Sequence, residues 1–108
     1  MKKTSYFLFI LFMLASCKKQ EQIPACIKST IDENKNNSNW KIEEVDEYEF
    51  QNKLVYVFVP VPQPDVQTEI KNSVCTMVCA LGGIAGIMKC NGESFYSVAV
   101  LKRVIWKK

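Results

Sequence analysis

The spacing of hydrophobic residues predicts one helix early in the chain, followed by strands. Within residues 24–35, Ile27 and Ile31 lie four positions apart with charged residues around them, which is the spacing of one helix face. Apolar and polar residues alternate over much of residues 40–50, which predicts a strand, and a short connection of hairpin length follows. Residues 54–59 give the strongest strand signal. Because apolar residues occupy both the odd and the even positions of this segment, we expect both faces of the strand to be covered.

Prolines and glycines divide the second half of the chain. Pro60, Pro62 and Pro64 end the strongest strand and predict an extended stretch that pairs with no neighbour. A third strand is predicted over residues 73–80, before a glycine-rich segment, and a further strand over residues 95–106. Together these patterns predict an α+β fold, with one N-terminal helix packed on a small antiparallel sheet of about four strands.

The first residues are typical of an export signal. Lys2 and Lys3 precede an apolar run of ten residues, Tyr6–Ala15. That run is about half of the roughly 20 residues that a spanning helix needs. It leads into Leu-Ala-Ser-Cys at positions 14–17, which resembles a bacterial lipobox. We therefore expect Cys17 to carry a lipid, and the alternative is an ordinary signal peptide with an incidental cysteine.

Lipidation of Cys17 would attach the protein to a membrane. Acyl chains such as palmitate contribute about 0.8 kcal/mol per buried CH₂, and two or more of them anchor a protein stably. The expected organisation is a signal peptide over residues 1–16, the lipidated cysteine with its tether over residues 17–23, and one small α+β domain over residues 24–108. Lys18, rather than aspartate, follows the cysteine, which favours the outer membrane of the cell envelope and its periplasmic face.

The composition excludes several classes of function. The 108-residue chain has no histidine, so it lacks the imidazole of Ser-His or Cys-His nucleophile pairs and of many metal sites. Its formal net charge is +3. Without residues 1–16, twelve Lys and Arg remain against eleven Asp and Glu, a near-neutral balance that is not typical of nucleic-acid binding. We therefore expect that the protein is not an enzyme and that it has no cofactor, no nucleic-acid partner and no small-molecule substrate.

The remaining cysteines predict a disulfide-stapled domain. If Cys17 carries a lipid, an even number of cysteines is left to form disulfides in an oxidising compartment. These cysteines are Cys26, Cys75, Cys79 and Cys90. On one extended strand, Cα atoms four residues apart are separated by roughly 13 Å, too far for a disulfide. We therefore favour Cys79–Cys90 with Cys26–Cys75, and the swapped pairing stays open. A zinc site is not favoured, because only one closely spaced cysteine pair exists.

An apolar, glycine-rich loop lies between Cys79 and Cys90. One interpretation is a tight turn whose leucine, isoleucine and methionine fill the core. The other is an exposed apolar tip that contacts a partner protein. The candidate partner-binding residues in this loop are Leu81, Gly82, Gly83, Ile84, Gly86 and Met88.

A run of acidic residues falls within the first predicted strand. Its five members are Glu43, Glu44, Asp46, Glu47 and Glu49. Acids that share a strand face are usually solvated, so we expect a charged edge that blocks aggregation between sheets. The alternatives are a patch for a cation or a basic partner, and acid–base catalysis.

The spacing of cysteines and glycines resembles that of a known family. Four stretches carry the likeness: Cys-x3-Cys-x2-Gly-Gly-x2-Gly-x3-Cys over residues 75–90, Pro-Ala-Cys-Ile over 24–27, Tyr-Glu-Phe…Val-Tyr-Val over 48–57, and Ile-Trp-Lys over 105–107. They are similar to small uncharacterised lipoproteins of Bacteroidota. Their domain is one of unknown function, so the resemblance implies no activity.

These observations lead to two functional hypotheses. The first is a lipid-anchored, non-enzymatic domain of the cell envelope that binds another envelope protein or has a structural role. The second is a small inhibitor or immunity-type lipoprotein that acts through the Cys79–Cys90 loop. Burial of the loop's apolar residues would argue against the second hypothesis.

Overall fold

The computed structural model describes residues 22–108, which begin with a ten-residue helix, α1 (Ala25–Asn34). No helix in that range is long and apolar enough to cross a membrane. The elements after α1 are, in chain order, β1 (Ile42–Phe50), β2 (Lys53–Pro60), β3 (Gln67–Lys71), β4 (Met77–Gly82), β5 (Lys89–Cys90), β6 (Glu93–Ser94), the single-turn helix α2 (Phe95–Val98) and β7 (Val100–Lys107).

Five of the strands form one antiparallel sheet in the order β4-β3-β2-β1-β7, and β5 pairs with β6 in a separate hairpin. The predicted antiparallel sheet is confirmed in this coarse form, but the count of about four strands was wrong. The additional strand, β3, follows the prolines that were expected to leave the chain unpaired. Ile70 is the one apolar residue in the β3 sequence and its one buried residue. The sequence therefore has almost no apolar alternation from which a strand could be predicted. Pairing with β2 and β4 places it in the sheet.

A two-residue turn joins β1 to β2. Gln51 and Asn52 both have positive φ, 52° and 66°, and Phe50 pairs with Lys53 on either side of them. This is the geometry of a type I′ turn, whose twist matches that of the flanking strands. The predicted hairpin connection is therefore present, although Lys53 already belongs to β2.

The two faces of the sheet have separate cores, and β2 contributes to both. Tyr56 and Phe58 lie on the face covered by α1, where they pack with the helix residues Ile27 and Ile31 and with Val45 of β1. The other face carries a second cluster, which consists of Phe50, Val55, Val57, Ile70, Leu81, Cys90 and Phe95. Both faces of β2 are thus covered, as its apolar sequence predicts.

The strand predicted over residues 95–106 begins later in the structure. Residues 95–98 form the single-turn helix α2, which the backbone N–H of Ala99 closes by donating to the Phe95 carbonyl at 2.8 Å. This turn places the Phe95 ring 4.9 Å from that of Phe50 and 5.3 Å from that of Tyr48, centroid to centroid. The ring is fully buried, so packing of one aromatic side chain outweighs the local preference for a strand.

Candidate partner-binding loop

The loop between β4 and β5 is a short hairpin closed by backbone hydrogen bonds. Gly82 and Ile87 exchange two of them: the Gly82 N–H donates to the Ile87 carbonyl at 2.6 Å, and the Ile87 N–H donates back at 3.2 Å. Inside this pair, the Gly86 N–H donates to the Gly83 carbonyl at 3.1 Å. The loop therefore has a defined turn, and Ile84 and Ala85 are its two central residues.

Two disulfides hold the loop and the neighbouring turn. Cys79 of β4 is bonded to Cys90 of β5, with their Cα atoms 5.6 Å apart, so the bond closes the base of the loop. Cys26 of α1 is bonded to Cys75, which precedes β4. This is the pairing that the cysteine spacing favoured. The loop thus projects from a cross-linked base, so its turn is preorganised before any partner binds.

Positive backbone angles explain the glycines of the loop. Gly82, Gly83 and Gly86 have φ values of 82°, 74° and 62°, a region that side-chain-bearing residues rarely adopt. Gly83 also lies against β3, because a Cβ built there would be 2.9 Å from Cγ of Gln67. The glycines therefore shape the loop, and its contacts come from the residues between them.

The apolar residues of the loop divide into one that faces the core and several that face solvent. Leu81 is 2% exposed and packs with Cys90 and Phe95. Ile84, at the turn, is 86% exposed, and Met88 is about half exposed. The interpretation that all of these residues fill the core is therefore correct for Leu81 and wrong for Ile84 and Met88. Ile84 and Met88 instead fit the interpretation of the loop as an exposed apolar tip.

Ile87 belongs to the same exposed surface and was not among the predicted residues. We call Ile84, Ile87 and Met88 the apolar tip. Lys89, which is also exposed, follows them directly.

The acidic run does not form the expected solvated edge. It lies in β1, an interior strand between β2 and β7. Glu47 is 4% exposed, and its carboxylate accepts hydrogen bonds from Nε of Arg103 at 3.0 Å and from the hydroxyl of Tyr56 at 2.9 Å. The cause is the strand register, which places Tyr56 and Arg103 on either side of Glu47. Glu47 is thus a structural ion-pair residue.

Asp46 is buried on the opposite face of β1. It is 7% exposed, and its Oδ1 atom has no hydrogen-bond partner among residues 22–108. Burial and the neighbouring carboxyl of Glu44 raise the pKa of Asp46 to about 7, against a smaller opposing effect of Lys107. The Asp46 carboxyl is therefore partly protonated near neutral pH. Within the described part of the chain, no group of three or more Cys, Asp or Glu is placed to hold a metal ion.

A second group of exposed apolar side chains, along α2 and β7, was not predicted. Its residues are each about half exposed, and they are Tyr96, Val98, Val100, Leu101 and Val104. Two register shifts in the pairing of β7 with β1 change which of its side chains face outward.

Together, the sheet and the disulfide-closed loop define a small cross-linked domain built mainly of antiparallel strands. The chain belongs to DUF6970, a domain of unknown function, whose family model matches residues 30–108. The expected resemblance to a domain of unknown function is confirmed at this level. No curated protein and no solved structure matches the chain. The family match includes every strand and Cys75, Cys79 and Cys90, whereas Cys26 precedes it.

The predicted signal peptide and Cys17, the predicted site of lipidation, lie outside the described residues. The lipid anchor and the location in the cell envelope therefore stay predictions from the sequence.

Proposed function

We propose that the protein is a lipid-anchored, non-enzymatic domain of the cell envelope that binds another protein through the apolar tip. The observation that carries this proposal is the 86% exposure of Ile84 on a loop closed by Cys79–Cys90. An exposed isoleucine gains free energy when a partner covers it, at about 25 cal/mol per Å² of buried apolar area. A cross-linked loop also loses little conformational entropy on binding.

The anchor is supported by the sequence before residue 22. The apolar run and the Leu-Ala-Ser-Cys sequence fit export and lipidation of Cys17 on the periplasmic face of the outer membrane. In that setting the anchored domain would meet other envelope proteins at the membrane surface. The partners proposed are thus the membrane, through the lipid, and one envelope protein, through the loop.

An inhibitor or immunity-type role is the second candidate, and the shape of the loop favours it. Only two residues, Ile84 and Ala85, lie at the centre of the turn, and both are exposed. A narrow, cross-linked projection of this kind fits a concave site on an enzyme or toxin. In this role the partner would lose its activity on binding, whereas in the first role it would not.

Site-specific photo-cross-linking in cells tests the binding proposal. A photoreactive amino acid is placed at Ala85 in the full chain, as the cell processes it, and the adducts are identified by mass spectrometry. We expect one reproducible envelope-protein adduct that Ile84→Ser removes. The matched control is Val74→Ser, since Val74 is an exposed apolar residue on a different turn. An adduct unaffected by Ile84→Ser, or no adduct at all, would contradict the proposal.

Metabolic labelling with palmitate tests the anchor separately. We expect the label in the native chain, recovered with the outer membrane, and its complete loss in Cys17→Ser. Unlabelled native chain in the soluble fraction would reject the anchor without bearing on the binding surface.

A further inference from the structure

The β2 strand is longer than the strand beside it. On one side of β2, the pairing with β1 begins at Lys53. On the other side, the pairing with β3 begins only at Tyr56, which lies opposite Lys71. Lys53, Leu54 and Val55 therefore have a strand on one side and none on the other. We call the space beside these three residues the notch.

The β3 strand ends because the chain turns at Asn72. The Asn72 side-chain oxygen accepts hydrogen bonds from the backbone N–H groups of Val74 and Thr76, both at 3.0 Å. The backbone N–H of Asn72 donates to the Thr76 carbonyl at 2.9 Å. Cys75, inside this turn, is bonded to Cys26 of α1. The wall of the notch is therefore fixed in place by a turn and a disulfide.

The register indicates which backbone groups of β2 face the notch. Phe50 and Lys53 flank a two-residue turn, so they form a hydrogen-bonded pair with each other. In an antiparallel ladder, successive residues direct their N–H and C=O groups to opposite sides. The N–H and C=O of Leu54 therefore point away from β1, into the notch. No residue from Gln22 to Lys108 forms a backbone hydrogen bond with them.

A cavity of about 760 Å³ occupies the notch. Among residues 22–108, the lining side chains with polar groups include no carboxylate, and they are Gln22, Gln51, Asn72, Ser73, Asn91, Lys53 and Tyr56. Its apolar lining includes Leu54, Val55 and Val78. Small-molecule and cofactor sites commonly have volumes of about 300–1,000 Å³ with a few polar groups on an apolar wall.

We propose that the notch binds a short extended peptide that carries a carboxylate, which pairs with the backbone of Leu54 as an additional strand segment. The unpaired N–H and C=O supply two hydrogen bonds to the peptide backbone, the mode of recognition known as β-augmentation. The Ser73 hydroxyl and the Nδ2 group of Asn72, whose oxygen is already bonded to Val74 and Thr76, can donate to the remaining peptide carbonyls. Lys53 is exposed and is the one charged residue that residues 22–108 contribute to the lining, so it selects a carboxylate, either an acidic side chain or a chain end.

This site is distinct from the apolar tip. Asn72 and Ser73 lie before β4 and Ile84 lies after it, so the six-residue strand separates these parts of the two sites by roughly 17–20 Å, whereas Asn91 is three residues from Met88. The notch also uses backbone and amide groups, whereas the apolar tip offers apolar side chains. Loss of binding at one surface is therefore expected to leave the other unchanged.

Nuclear magnetic resonance of the full chain, as the cell processes it and labelled with ¹⁵N, tests the proposal. The probe is a tetra-alanine peptide with a free carboxylate, and the comparison peptide has an amidated end. We expect the free peptide to shift the Leu54 amide signal with a Kd of about 1 mM and to slow its hydrogen exchange. The amidated peptide should bind about tenfold more weakly.

Two pairs of variants locate the binding. Ser73→Trp fills the notch from an exposed turn, and Ser38→Trp makes the same change on another exposed turn. Lys53→Glu reverses the proposed carboxylate contact, and Lys41→Glu is its control. We expect Ser73→Trp and Lys53→Glu each to weaken binding about tenfold or more, with the controls unchanged. Equal binding of both peptides, no shift at Leu54, or equal effects within each pair would overturn the proposal.

Discussion

Arg103 and Glu47 form an ion pair across neighbouring strands, and its acidic side is closed to solvent. The Nε atom of Arg103 lies 3.0 Å from Oε1 of Glu47, whose side chain is 5% exposed. On the other flank of Glu47, the Tyr56 hydroxyl donates to Oε2 at 2.9 Å. These three side chains join β7, β1 and β2 across the sheet.

Removal of Arg103 should therefore destabilise the domain. Arg103→Met leaves the Glu47 carboxylate buried without its cation, and we expect a loss of about 2–3 kcal/mol in the free energy of unfolding, measured by urea denaturation. The matched control is Lys102→Met. Lys102 lies 3.7 Å from Glu49 with both side chains about half exposed, so its loss should cost less than about 0.5 kcal/mol. Equal effects of the two variants would contradict the assigned role of Glu47.

Asp46 should make stability depend on pH. Its pKa in the folded chain is about 7, and its ordinary value is 3.8. Between these values the folded state retains a proton that the unfolded state has lost, so stability falls as pH rises from about 4 to about 7. Asp46→Asn should remove this slope and raise the free energy of unfolding at pH 8 by about 1–2 kcal/mol. Thermal denaturation across this pH range provides the measurement.

The control for Asp46 is Asp32→Asn. Asp32 is exposed on α1, where the hydrogen bond and charge of Lys28 lower the pKa of its carboxyl, so this variant should keep the slope. A native-like slope in Asp46→Asn would show that another group titrates in this window.

Local patterns were sufficient for some elements of the fold and insufficient for others. The β1–β2 hairpin was predictable, because both strands and their turn are contiguous and β2 is apolar on both faces. Helix α1 was predictable because Ile27 and Ile31 are four positions apart with charged residues around them. By contrast, β3 has one buried residue, and α2 exists because Phe95 reaches a core that the distant strands build. Those two elements depend on pairing and packing that adjacent residues do not encode.

The candidate sites show the same division. The cysteine spacing indicated a closed loop, but it could not decide which apolar side chains turn outward, because Leu81 and Ile84 have the same chemistry. Only packing against β5 and α2 separates them. Likewise, the acidic run looked solvated because the partner of Glu47, Arg103, is 56 residues away. The notch depends on a difference in length between two paired strands, which no single segment reveals.

The two disulfides should contribute unequally to stability. Cys26–Cys75 spans 49 residues and Cys79–Cys90 spans 11. In the chain-entropy account, loops of these lengths correspond to about 4 and about 3 kcal/mol. We expect Cys26→Ala/Cys75→Ala to lower the free energy of unfolding more than Cys79→Ala/Cys90→Ala, as measured by urea denaturation. The reverse order would indicate that strain or residual structure in the unfolded chain dominates.

Gly83 should be the least replaceable glycine of the loop. Gly83→Ala introduces both an unfavourable positive φ and a Cβ that would lie 2.9 Å from Cγ of Gln67. Gly86→Ala introduces only the positive φ, because nothing lies within 4 Å of its Cβ position. A residue with a side chain in this region costs about 1–2 kcal/mol, so we expect about 1 kcal/mol for Gly86→Ala and about 1 kcal/mol more for Gly83→Ala. Urea denaturation gives both values.

Because Gln67→Ala removes the contacted atom, the free-energy cost of Gly83→Ala in that background should come close to the cost of Gly86→Ala. If the gap between the two glycine variants persists in that background, then the close approach to β3 is not its cause.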